Sequence, residues 1–136
     1  AASRAVTPPR LLGVTILTSI DQKTLNDELG VPGDATGHVR HLATLAVSRG
    51  LDGIVCSAAD LPDIKPSLPR GFEVVTPGIR LRKPSSDDQK RVATPRTAFV
   101  AGASLLVVGR PITQAADPGE AARSICDTIR RQLNAH

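Results

Sequence analysis

The chain has 136 residues, 40% of them hydrophobic, and its 17 Lys and Arg outnumber 13 Asp and Glu to leave a net charge of +4. That length suffices for one core, so residues 1–136 are expected to form a single domain, but a whole eight-stranded β/α barrel takes roughly 250 residues. Two Phe are the only aromatic residues and Trp, Tyr and Met are absent, so the core must be aliphatic, as in closely packed parallel sheets. No apolar run reaches a membrane span and residues 1–10 lack the layout of a signal peptide, which makes a soluble cytoplasmic protein without membrane partners the expectation.

In chain order, Leu11 to Ser19 (LLGVTILTS) is β-rich and predicts a first strand. Asp21 then precedes QKTLNDEL, a helical stretch closed by Gly30, and Asp34 or Thr36 precedes HVRHLATLAVSR, closed by Gly50. In the latter, Val39, Leu42, Ala43, Leu45 and Ala46 make one apolar face. Asp52 to Ala58 and Phe72 to Ile79 predict the second and third strands. Thr94-Pro95 opens a helix, with a capping hydroxyl ahead of a proline whose missing N–H is harmless in the first turn, and Gly102 closes it. Ser104 to Ile112 predicts the fourth strand, and Asp117-Pro118 opens the last helix, with Glu120 in place for a capping box.

Strand then helix, repeated, is the grammar of parallel β/α units. An open Rossmann-like sheet is the rival, but no G-x-G-x-x-G follows any strand. Cys56 and Cys126 have no C-x-x-C spacing and are expected to be reduced structural thiols. His38 and His41 share a helical face without a third metal ligand and are expected at the surface.

In β/α folds the carboxyl ends of the strands face the active site. Those ends carry Thr18-Ser19, Cys56-Ser57, Thr76 to Arg80, and Gly109-Arg110-Pro111. Hydroxyls, bare backbone and two guanidinium groups form a binding set. Glycine lets an anion approach the main chain, and the arginine beside it offers a permanently charged fork; alternatively Arg110 pairs with a carboxylate and Gly109 merely permits a turn. No acid, lysine or histidine stands at a strand end, so this set lacks a general base or a Schiff-base lysine. The charge excess is local: from Arg80 to Arg96 six cations face Asp87 and Asp88, while elsewhere eleven of each sign balance. Nucleic-acid binding would need a wider basic stripe and stacking aromatics, so an anion-closing loop over a small ligand is expected instead, with no nucleic-acid partner.

VTILTS (from Val14), LDGIVCSA (from Leu51), VVTPGIR (from Val74), DDQKRVATP (from Asp87) and VVGRPITQAADP (from Val107) together resemble, in order and spacing, the C-terminal half of bacterial orotidine 5′-phosphate decarboxylases. The resemblance implies an α/β fold of about four β/α units, strands five to eight of a (β/α)8 TIM barrel, whose N-terminal half lies outside this sequence and acts as a partner. It implies orotidine 5′-phosphate and UMP as ligands, no metal or organic cofactor, and a homodimer. Thr18 and Ser19 would lie beside the pyrimidine and ribose, and Pro77 would wall the base. Arg80 and Gln89 would belong to a loop over the ligand, and Gly109 with Arg110 would bind the phosphate. The family's Lys-Asp-Lys-Asp array, with its D-x-K-x-x-D motif, has no counterpart here. The resemblance therefore assigns binding to this half and chemistry to the other, so the chain alone is expected to be inactive. A non-catalytic phosphate-binding half-barrel, or another phosphate-binding barrel enzyme, stands as the alternative.

Overall fold

Four short parallel strands carry the fold: β1 (Leu12–Val14), β2 (Gly53–Val55), β3 (Glu73–Thr76) and β4 (Leu105–Leu106), hydrogen-bonded in the order β1-β2-β3-β4. The computed structural model describes residues 8–80 and 93–134. Because each strand adds beside its predecessor on the same side, the sheet has no point at which the order reverses. That excludes the doubly wound rival, whose ligand crevice is defined by such a reversal.

The helices are α1 (Ala35–Ser48), α2 (Leu61–Ile64), α3 (Pro95–Ala101), α4 (Arg110–Thr113) and α5 (Pro118–Asn134). Alternation along the strands decides what they cover. Ile54 and Val74 are fully buried with Val39, Ala43 and Ala46 of α1, Leu61 and Ile64 of α2, and Ala98 of α3. The opposite side chains, Leu12, Val14 and Leu105, remain exposed, as does Val107 just beyond β4. One face of the sheet is thus a helix-covered core, and the other is an apolar surface.

Capping behaves as the sequence implies. Asp34 Oδ1 accepts from Gly37 N at 2.7 Å at the start of α1. Thr94 and Thr97 exchange both bonds of a capping box, at 3.2 and 2.9 Å, and α3 ends on Gly102 at φ 110°. Asp117 Oδ1 accepts from Glu120 N at 2.9 Å at the start of α5, whereas the return bond from Asp117 N to the Glu120 carboxylate that a full capping box needs is not made among the described residues. Replacing Asp34 by Ala should lower stability by about 1 kcal/mol, the usual loss for an N-cap. Urea denaturation at unchanged m-value is the check.

Several elements differ from the sequence expectation. QKTLNDEL is helical over residues 22–28 as expected, with Gly30 beyond it at φ 65°, but Thr24–Glu28 take π-type rather than α-type hydrogen bonds, and Asp21 Oδ1 accepts from Thr24 N at 2.9 Å. A short helix, α2, and a 3-10 turn at Lys65–Ser67 fill the β2–β3 connection, where the sequence suggested none; Pro62 in its first turn was the available signal. All four strands are shorter than their β-branched runs. At β3 the ladder stops because Pro77 has no N–H to donate and Gly78, at φ 75°, turns the chain away. At β4 the run expected to reach Ile112 gives way to α4, with Pro111 in its first turn.

Candidate functional site

A cavity of about 210 Å³ opens at the carboxyl ends of β1, β2 and β3, lined by Val14, Ile16, Leu17, Thr18, Ser19, Val55, Cys56 and Pro77. Its shape follows from where the strands stop. After Val14 the chain makes two last bonds to β2: Thr15 N and Thr15 Oγ1 both donate to Val55 O, at 3.1 and 2.9 Å. Thr15 is then buried, and the chain turns, closed by Ile20 N to Leu17 O at 3.0 Å. Thr18 and Ser19 therefore sit in a turn above the sheet rather than in the strand expected for Leu11 to Ser19. Pro77, released from the β3 ladder, faces the same space.

The structure thus brings together three of the residues that the sequence singled out, Thr18, Ser19 and Pro77. The apolar wall from Ile16, Leu17 and Val55 was not legible, because it depends on where β1 ends. Cys56 was read as a structural thiol; it is buried in the core cluster and also borders the cavity. Hydroxyls on one side and aliphatic and proline surface on the other suit a flat, partly polar ring. None of the lining side chains is a carboxylate, lysine or histidine.

Arg80, Gly109 and Arg110 lie at the same ends of β3 and β4 but outside this lining. Arg80 N donates to Ala93 O at 2.9 Å, Ala93 N donates to Gly78 O at 3.3 Å, and Ile79 bridges Ala93. These bonds hold the chain where it leaves the sheet and returns to it. Gln89, with Arg82, Lys83, Asp87, Asp88, Lys90 and Arg91, lies outside the described residues. Arg96, counted with that basic stretch in the sequence, is instead exposed in the first turn of α3, where with Pro62, Thr97, Val100 and Ala101 it lines a cleft on the helical layer.

Gly109 precedes α4, and among the described residues a Cβ built on it would meet nothing within 4 Å beyond its own chain neighbours. Its carbonyl accepts from Ile112 N and Thr113 N at 2.8 and 3.1 Å. Among the described residues, the N–H groups of Gly109 and Arg110 make no backbone hydrogen bond, and the exposed Arg110 guanidinium has neither an ion pair nor a hydrogen bond. The carboxylate-pairing alternative for Arg110 thus finds no support there. With only four residues, α4 is too short to supply a useful dipole, so any attraction for an anion comes from Arg110 and the open backbone beside it.

The other polar features have local explanations. His38 Nε2 lies 2.7 Å from Pro32 O and His41 is exposed. No cluster of three His, Cys, Asp or Glu suited to a metal occurs among the described residues. No helix among them is long and apolar enough to cross a membrane.

Comparison with known proteins places this geometry in a family. The chain is 49% identical over 129 residues to the orotidine 5′-phosphate decarboxylase of Dichelobacter nodosus, an alignment covering 95% of this chain and 56% of that protein. It is 50% identical over 121 residues to that of Chromobacterium violaceum, covering 89% of this chain and 49% of that one. In three dimensions it is similar to the crystal structure of orotidine 5′-phosphate decarboxylase from Lactobacillus acidophilus, with a TM-score of 0.73 and 36% identity over 90% of this chain and 50% of that chain. The fold is accordingly α/β, and its structural neighbours are TIM barrels of which it matches about half. The chain likewise spans about half the length of the curated relatives it matches. The profile of the Orotidine 5′-phosphate decarboxylase / HUMPS family matches residues 1–125, and the chain belongs to that family.

Proposed function

We propose that this chain is the ligand-binding half, the C-terminal one, of an orotidine 5′-phosphate decarboxylase. It holds the pyrimidine nucleotide by its base and its phosphate while a complementary half supplies the groups that expel carbon dioxide and protonate the carbon left behind. The observation that carries this reading is the convergence of Thr18, Ser19 and Pro77 on one cavity at the strand ends. In this reading Thr18 and Ser19 hydrogen-bond the base and ribose, and Pro77 walls the ring. Gly109 and Arg110 take the phosphate, with Arg80 and Gln89 completing the enclosure. The reaction proceeds without metal or organic cofactor, in a cytoplasmic homodimer that makes UMP.

The test is a chimera in which this chain replaces the matching half of the Dichelobacter nodosus relative. Replacing Arg110 by Ala in it removes a charge-assisted contact worth about 1.5–3 kcal/mol. Calorimetry should show roughly a ten- to hundredfold weaker affinity for UMP and little change for uridine, which has no phosphate. Equal losses for both ligands would mean that Arg110 supports the fold and that the phosphate is held elsewhere.

A further inference from the structure

A parallel sheet normally has both faces covered, yet the face opposite the helices presents Leu12, Val14, Leu105 and Val107 at 38, 57, 49 and 47% exposure. The register aligns Val14, Val55, Val75 and Leu105 across all four strands, giving an aliphatic layer of the composition that fills barrel interiors. The acidic group on this face, Glu73, is at the amino end of β3 and is paired with Arg10. Both outer strands end the sheet among the described residues, and neither β1 (LGV) nor β4 (LL) carries the proline, lysine or bulge that blunts an edge.

Two edges and one bare face constrain what covers them. A two-fold axis parallel to the strands keeps every strand direction unchanged. It sets β4 of each copy beside β1 of the other, in parallel, at both seams. Four strands and four strands make eight, the number at which a barrel interior is just filled by side chains. A heterologous β4-to-β1 contact that closes after two copies leaves no edge, whereas one that does not close runs on as an open polymer.

We propose that this chain, when no complementary half is present, closes with a second copy of itself into a two-fold, eight-stranded barrel. This rests on the sheet alone and is independent of the nucleotide reading. Light scattering on the 136-residue chain should give twice the mass of one chain, constant over a wide concentration range. Hydrogen exchange should show the β1 and β4 amides protected together.

Val14→Asp and Leu105→Asp would place carboxylates in the closed interior. Each should weaken association by about a hundredfold or more while circular dichroism stays native, because both positions are exposed in the single chain. Val100→Asp, at a residue 78% exposed on α3, should leave the dimer intact. A folded monomer at high concentration, a chain that does not fold alone, a mass that grows without limit, or a dimer indifferent to Val14→Asp would each overturn the proposal.

Discussion

The 136-residue chain alone should release no carbon dioxide from orotidine 5′-phosphate above the uncatalysed rate, whereas the chimera with the Dichelobacter nodosus half should turn the substrate over. The cavity at the strand ends offers hydroxyls, aliphatic surface, proline and a buried thiol. The lining has no carboxylate, lysine or histidine to act on the developing charge. Only interactions that strengthen in the transition state raise the rate. Enzymes accelerate reactions by about 10⁶- to 10¹⁷-fold, so the contrast between chain and chimera should be many orders of magnitude. A carbon dioxide release assay on material of verified mass is the measurement. Turnover by the chain alone would place the chemistry among residues described above as binding groups. A folded, UMP-binding chimera without turnover would instead mean that this half does not position substrate against its complement.

Replacing Gly53 by Val should produce the largest loss of stability of any single change considered, about 3 kcal/mol or more. A Cβ at Gly53 would lie 2.5 Å from Glu73 O, 2.8 Å from Glu73 Cβ and 2.8 Å from Leu12 Cδ2. The first of these is backbone of the neighbouring strand, which cannot yield without opening the β2–β3 ladder. Gly13 provides the comparison, since a Cβ there would press on Leu51 Cδ2 and Ala46 Cβ at 3.0 and 3.4 Å, side-chain atoms able to shift. Gly13→Ala should therefore cost about 1 kcal/mol. Gly109→Ala should be within about 0.5 kcal/mol of neutral, because no described residue crowds a Cβ there, yet it should weaken UMP binding in the chimera if a phosphate occupies that space. Urea denaturation of the three variants orders them. Equal effects at Gly53 and Gly13 would mean that the sheet has more slack than its register implies.

The parts of this molecule legible in its sequence are those fixed by local chemistry. Asp34, Thr94-Pro95, Gly102 and Asp117 mark helix ends because a cap needs only its own neighbours. Thr18, Ser19 and Pro77 were legible as neighbours around one cavity because parallel β/α units expose their carboxyl ends wherever the strands stop. Strand lengths were not legible. VTILTS is rich in β-branched residues and VVGRPI begins and ends with them, but a strand lasts only as long as its neighbour pairs with it, and that partner is distant in sequence. The same reason hid Ile16, Leu17 and Val55 as cavity wall. Arg96 was grouped with the basic stretch by proximity in sequence, whereas the turn of α3 carries it to the helical layer.

The clasp between Arg80, Ala93 and Gly78 has an evolutionary consequence. Two backbone bonds and the Ile79–Ala93 bridge fix both ends of the intervening segment on the sheet. Loop-closure entropy grows only logarithmically, about 0.6 kcal/mol for each doubling of length. A few residues added or removed between those fixed ends should therefore cost the fold little, so evolution can vary the length of the chain there while the sheet keeps its register.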